Sequence, residues 1–381
     1  MMKKIGYLFI LILALGCRER YDLPVTSPVT GFLVVDGTIN AGLGPTTFTL
    51  TRTVKLVDSF TIKYLTRATV RVQGKDNSSF NLTEGSPGVY SINQLNLNQA
   101  QEYRLYIKTP EGKEYYSDYL PVKKTPAIES ISWERNDGVH VYANTRDPQN
   151  NTKYYRWEYE ETWEFHSMFE SSLKYSPDYN NPKAVYRDPN TKNIDPNILT
   201  CWQGGRTTSI LIASNARLSV DTAHFHLLAV PPGSWKISVL YSVLVKQFAL
   251  TKAGFEYLAK MKKNTEQTGS IFDAQPSELR GNIHNTINTN EIVIGFVEVS
   301  EIHQKRIFIK NSELPAWGYN SGCSVKDYVN HPDTIKSAGY PTPTIPFEIV
   351  NDNIVKFSGA SSELCVDCTL RGTNIKPSFW P

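Results

Sequence analysis

The segment TTFTLTRTVKL at residues 46–56 alternates with a period of two. Phe48, Leu50 and Arg52 fall on one face, and Thr47, Thr49 and Thr51 on the other. Only a half-buried strand meets that pattern, because a helix of 3.6 residues per turn would scatter the same residues around its circumference. Further short segments of this kind surround it: GFLVVDGTIN, ATVRVQG, GVYSIN, EYRLYIKT and GKEYYSDYLPV, each bounded by Gly, Asn, Asp or Pro. Closely spaced antiparallel strands with turns between them predict an immunoglobulin- or transthyretin-like β-sandwich over residues 31–124. The 21 Tyr, 16 Phe, 23 Gly and 22 Pro agree with a mainly β chain rich in turns.

Pro126 interrupts this series, and Ile128, Ile131 and Trp133 start a new apolar register. Asp137-Gly138 is a tight-turn signal. In YYRWEYEETWEF, Tyr155, Trp157 and Tyr159 alternate with Arg156, Glu158 and Glu160, a strand with one wet face. Its expected partners are SWKISVLYSVLVKQFAL and EIVIGFVEVSEIHQKRIFIK. Between them LTKAGFEYLAKMKKNTEQ reads as the one helix of any length, capped by Thr251, with Phe255, Leu258 and Met261 on one face. Residues 125–381 thus predict a second, fibronectin type III-like β domain with long insertions at about 166–208 and 312–346. Those insertions are rich in Pro and Asn and read as irregular loops, where a binding surface can be built.

The chain opens with MMKKIGYLFILILALGC. Lys3 and Lys4 precede twelve apolar residues that reach about 18 Å as a helix, short of the ~30 Å hydrocarbon core. An export signal over residues 1–16 fits. Its end resembles a bacterial lipobox, with Ala14 where Leu is usual, so Cys17 is the expected lipidation site and residues 17–30 a linker. Several acyl chains on one cysteine give stable anchoring. The 40 Lys and Arg against 37 Asp and Glu leave no excess for nucleic acid.

Four cysteines remain: Cys201, Cys323, Cys365 and Cys368. In an oxidising envelope an even count implies a disulfide framework, here with three pairings open. Cysteines as close as Cys365 and Cys368 are expected to bond Cys201 and Cys323 rather than each other. A thioredoxin-like motif would need a βαβ context that this pattern lacks.

No G-x-S-x-G, P-loop or G-x-G-x-x-G motif occurs, and no catalytic residues are assigned. His224 and His226 would share a strand face as metal ligands can, but Asp221 is the only local carboxylate. No metal and no cofactor is predicted. Glu158 and Glu160 would be same-face neighbours, yet glutamates on a wet strand face mostly serve solvation. Asp273, Gln275 and Glu278 read as a structural loop. Among the seven tryptophans, Trp202, Trp317 and Trp380 fall in loops, and are the candidates for stacking on a glycan or peptide ligand.

The order of these segments resembles an outer-membrane lipoprotein family of Bacteroidota type, known only as a domain of unknown function and often encoded beside TonB-dependent receptors. The residues carrying the resemblance include GFLVVDGTIN…GPTTFTLTRT, LTCW, YSVLVKQFALTKAGFEYLAKMKKNTEQTGSIFDAQPSELRGNIHN, IGFVEVSEIHQKRIFI and CVDCTLRGTNIKPSFW. The resemblance implies a lipid-anchored protein of the outer membrane and cell surface; the lack of any catalytic motif leads to the expectation that it is non-catalytic. It would act as an accessory or binding subunit of a TonB-dependent transporter or another outer-membrane β-barrel complex. A loop-based glycan- or peptide-capturing protein and a hydrolase with a scattered site are the alternatives.

Overall fold

The computed structural model describes residues 31–54, 62–217, 222–266 and 279–381. Cys17, the export signal, the linker and residues Asp221, Asp273, Gln275 and Glu278 lie outside them. The described chain is mainly β and forms three units.

In the first unit Leu33–Asn40 pairs antiparallel with Thr46–Arg52. The ladder continues through Val89–Ile92, Ser79–Ser86, Thr69–Gly74, Glu102–Lys108 and Glu114–Ser117. Phe48 and Leu50 are fully buried while Thr47 stays exposed, the alternation expected from their spacing. Both ends of this ladder are finished by residues 283–300. Ile283–Asn285 pairs with Glu114–Ser117, and Val293–Ile294 and Val299–Ser300 run parallel to Leu33–Asn40. The unit is therefore one nearly closed sheet instead of two stacked ones. Part of its wall comes from beyond residue 124, from a stretch the sequence places in the second domain. Sheet edges carry unpaired N–H and C=O groups, and this returning segment covers both.

The second unit is a two-sheet sandwich. Ile128–Asn136, Gly138–Arg146 and Thr222–Val230 form one sheet. Thr200–Arg206, Tyr154–His166, Leu240–Ala249 and Ile302–Lys310 form the other, with Leu211–Ser214 beside the long central strand. Val139, Val141, Leu228 and Val230 from the first face Tyr155, Trp157, Tyr241, Val243 and Val245 from the second. Two of the chain crossings between the units, at residues 123 and 299–301, pair with each other. Lys123 N donates to Val299 O, and Glu301 N donates to Lys123 O, at 2.8 and 3.0 Å. A double crossing resists the twisting that a single linker allows.

The helix Lys252–Glu266 packs across this junction. Thr251 Oγ1 accepts from Gly254 N at 3.0 Å, as an N-cap should. Its buried positions are Gly254 and Tyr257, whereas Phe255, Leu258 and Met261 are half-buried.

Apart from the strand Thr200–Arg206, the two expected loops contribute instead to a third unit. Residues 166–208 supply the hairpin Leu173–Tyr175 with Ala184–Tyr186. The C-terminal region supplies a sheet of Val325–Val329, Asn353–Ala360 and Thr342–Val350, together with a second helix, Pro332–Ser337. Leu173, Ala184, Ile335 and Phe357 form its small core. The strand Thr342–Val350 tolerates Pro343 and Pro346 because it is an edge strand, where a missing N–H breaks no second ladder.

Candidate functional site

Two regions have the geometry of a binding site. The first is a cleft between the first unit and the five-stranded sheet of the second. Because inward residues of Tyr154–His166 fill the sandwich core, the alternate residues Arg156, Glu158 and Glu160 face this cleft. Lys246 and Arg206 join them from neighbouring strands, and Asp36 reaches in from the first unit. Two recesses of about 370 and 270 Å³ share Asp36, Arg156, Glu158 and Lys246. Leu211, Leu258 and Met261 give the larger one an apolar side.

The charges in the cleft are mostly paired. Arg156 binds Glu158 and lies over the Phe248 ring, 4.4 Å from its centroid. Lys246 Nζ lies 2.6 Å from Glu160. Asp36 is an exposed residue that lines both recesses beside Arg156 and Glu158. Burial raises its carboxyl pKa, Arg156 partly offsets this, and Glu158 adds to it. The Nε of Arg156 is buried without a hydrogen-bond partner. Such a cleft can hold a small ligand that carries both a cationic and an anionic group. Glu158 and Glu160 do share a face, but each is engaged by a cation.

The second region is the distal unit. Cys201 bonds Cys368, tying the unit to the five-stranded sheet, and Cys323 bonds Cys365 within it. Neither disulfide closes the C-x-x-C on itself. In the chain-entropy model loops of 167 and 42 residues correspond to about 5 and about 4 kcal/mol. Among the described residues, most of the exposed large apolar side chains are gathered around this small stapled core. Ile345, Phe347, Ile349 and Val350 follow one another along the edge strand, and Phe347 is 60% exposed. Ser172 N donates to Thr344 O at 2.9 Å, so the start of that edge is covered, while beyond it the strand is paired on one side only.

The tryptophans chosen as ligand contacts sit elsewhere. Trp202, Trp317 and Trp380 are 8%, 6% and 6% exposed. Trp317 Nε1 donates to Ser234 O at 2.7 Å, and Trp380 Nε1 donates to Glu164 Oε2 at 2.8 Å. Trp380 also meets Phe308 edge-on, which docks the chain end against the second sandwich. None of the three offers a free ring face to a sugar. Trp202 lies in the strand Thr200–Arg206 instead of a loop, and the partners of Trp317 and Trp380 stand far away in sequence.

Glu161, one residue from the cleft glutamates, points the other way. It accepts two bonds from Lys236 Nζ at 2.8 and 2.9 Å and one from the Tyr241 hydroxyl at 2.7 Å. Burial and then this carboxylate push the Tyr241 pKa far up, which keeps the phenol protonated. His224 and His226 do lie on one exposed sheet face, joined there by His140 from the adjacent strand. Among the described residues no three His, Cys, Asp or Glu side chains converge as metal ligands. No described helix is long and apolar enough to cross a membrane.

A search of curated proteins finds no match to this chain. A family model, the domain of unknown function DUF4249, matches residues 18–306 and so takes in both the nearly closed sheet and most of the second sandwich. With three quarters of its length covered by that match, the chain belongs to the DUF4249 family.

Proposed function

We propose that this protein is a non-catalytic, lipid-anchored accessory or binding subunit of the outer membrane, which docks on a β-barrel partner of the TonB-dependent transporter kind. The observation that carries the reading is the free apolar flank of the strand Thr342–Val350 on the disulfide-tied distal unit. A contiguous apolar strand edge is an interaction surface in a protein that stays soluble and unaggregated. The export signal and Cys17 support the tether, and the resemblance noted above supports the company.

The test is a photo-crosslinking amino acid placed at Phe347 in the full-length lipoprotein within its own outer membrane, with Lys63 on the first unit as the control position. Adducts to a β-barrel protein from position 347 and none from position 63 support the reading. No adduct at 347, or the same adducts from both positions, overturns it. The cleft favours a second reading, capture of a short peptide through Asp36 and Arg156. Calorimetry with zwitterionic dipeptides, on the parent and on Asp36→Asn, tests it; no heat in either removes it.

A further inference from the structure

The solvent face of the three-stranded sheet carries a constellation that the sequence spacing conceals. Ladder register places Glu134 beside His140, then Ser132 beside Tyr142 and His226, then Ser130 beside Asn144 and His224. Continued without a break, the register of Val139–Val141 would put His226 opposite the buried Ala143, on the other face from His140. A β-bulge intervenes, since Val141 pairs with Leu228 but Tyr142 pairs with His226, leaving Leu227 as the extra residue. Leu227 and Leu228 are both buried, which shifts the alternation at that point. Bulges re-aim side chains. Here Nε2 of His226 comes to 3.2 Å from Nδ1 of His140.

The hydrogen bonds around these rings fix which nitrogens are free. His140 Nε2 lies 3.2 Å from the Asp137 carbonyl oxygen. A carbonyl can only accept, so Nε2 carries the proton and Nδ1 of the neutral ring presents a lone pair. A backbone acceptor on the far nitrogen is the arrangement that orients metal-binding imidazoles. On the other side, His224 Nδ1 lies 2.6 Å from Asn144 Oδ1, while Asn144 Nδ2 donates to Ser132 Oγ at 2.9 Å. His224 stacks on Tyr142 at 4.5 Å, and Tyr142 in turn packs against His226 at 5.2 Å. The His226 ring thus has Tyr142 on one side and His140 on another while staying exposed to solvent.

We propose that His140 Nδ1 and His226 Nε2 are the two protein ligands of a site for a first-row divalent transition-metal ion, with Cu²⁺ bound most tightly. Two nitrogens each ~2.0–2.1 Å from one ion are about 2.9 Å apart at a right angle and about 3.3 Å apart at the tetrahedral angle. The observed 3.2 Å lies inside that interval. In the metal-free pair His226 Nε2–H donates to His140 Nδ1. Binding moves that proton to His226 Nδ1, which leaves a lone pair on Nε2 for the ion. The remaining coordination positions are left to water or to a donor on a bound molecule, and Glu134 beside His140 adds favourable negative charge. Cu²⁺ ranks first because it heads the divalent series at nitrogen sites.

The experiment is a copper titration of the detergent-solubilised full-length chain, free of any histidine tag, read by calorimetry and by electron paramagnetic resonance. One equivalent with two coupled nitrogens is expected. His140→Ala and His226→Ala each turn a two-point chelate into a single contact, weakening binding on the order of 100-fold. His224→Ala keeps both nitrogens. All three substitutions fall on a solvent-facing sheet surface, so the fold persists, with circular dichroism as the check. Unchanged affinity in both single variants, or nitrogen coupling that survives the double variant, overturns the site.

Discussion

The second sandwich and the distal unit stabilise themselves by opposite means. The sandwich encloses Tyr155, Trp157, Phe165, Tyr241 and a continuous layer of Val and Ile between two sheets. The distal unit encloses little beyond Leu173, Ala184, Ile335 and Phe357, with a satellite of Ile198, Ala360, Cys365 and Val366, and carries Ile345, Phe347 and Ile349 outside. At about 25 cal/mol per Å² of apolar surface buried, a core that small offsets little of the chain entropy it must order. The covalent links supply what packing does not. A unit held by disulfides is free to place its apolar residues on the surface, where they can meet a partner.

The largest effect should therefore come from cutting those links. Cys201→Ser with Cys368→Ser removes the bond that closes the 167-residue loop, at about 5 kcal/mol in the chain-entropy model. Limited proteolysis should then cleave residues 312–381 while the two β units remain protected. Simultaneous loss of protection across the whole chain would show that the distal unit supports the sandwich instead of resting on it.

The sandwich should be as sensitive to packing as the distal unit is to its disulfides. Trp157 is 1% exposed, stacks on Phe225 at 4.4 Å, and donates its Nε1–H to Gln247 Oε1 at 2.7 Å. Gln247 spends its amide on Pro126 O and Thr145 Oγ1. Trp157→Ala opens a cavity and orphans a buried acceptor, so a loss of about 3–5 kcal/mol is expected in denaturant titrations. A loss below about 1 kcal/mol would mean that the apolar layer re-closes around the gap.

What the sequence discloses follows this same division. Period-two segments such as residues 46–52 and 154–160 announce strands because one face is dry and the other wet, and the structure keeps that alternation. The return of residues 283–300 to the first sheet left no such trace. Its strands are only two or three residues long, too short for any period, and their pairing is with residues over a hundred positions away. The distal strands were hidden because Pro343 and Pro346, read as loop residues, occupy an edge where a strand accepts them. Cleft residues were visible as a charged strand face, but Asp36 was not, since its opposition to Arg156 exists only once two units meet. His140 was equally silent, lying more than eighty positions from His226.

The junction between the first unit and the helix should respond to pH. Glu298 is 4% exposed, and its Oε1 accepts from Thr251 N at 3.0 Å and from Thr251 Oγ1 at 2.8 Å. Its Oε2 is buried without a partner. Burial outweighs these bonds and raises the pKa from 4.5 to about 7. The folded state then binds the proton more tightly than the unfolded one. This contribution to stability is complete below about pH 4.5 and is lost as pH rises towards 7 and above, on the order of 3 kcal/mol in all. Glu298→Gln should flatten the corresponding slope between pH 5 and 8. A variant whose stability falls with pH as steeply as the parent's would show that Glu298 is not the group responsible.

The smallest effect on stability should belong to the residue proposed to lie at the centre of docking. Phe347 is 60% exposed on a strand paired on one side, so Phe347→Ser removes little that the folded chain buries. Its melting temperature should match the parent's, the change staying within about 0.5 kcal/mol. The same substitution at the centre of an apolar contact typically costs 2 kcal/mol or more of binding, roughly 30-fold. Co-purification of a β-barrel partner from solubilised outer membranes should therefore fall sharply in a variant that is otherwise indistinguishable. Equal recovery with Phe347→Ser and with the parent would place the contact elsewhere. A drop in melting temperature comparable to that of Trp157→Ala would mean that the edge belongs to the distal core, and the contrast between the two units would then fail at its most exposed point.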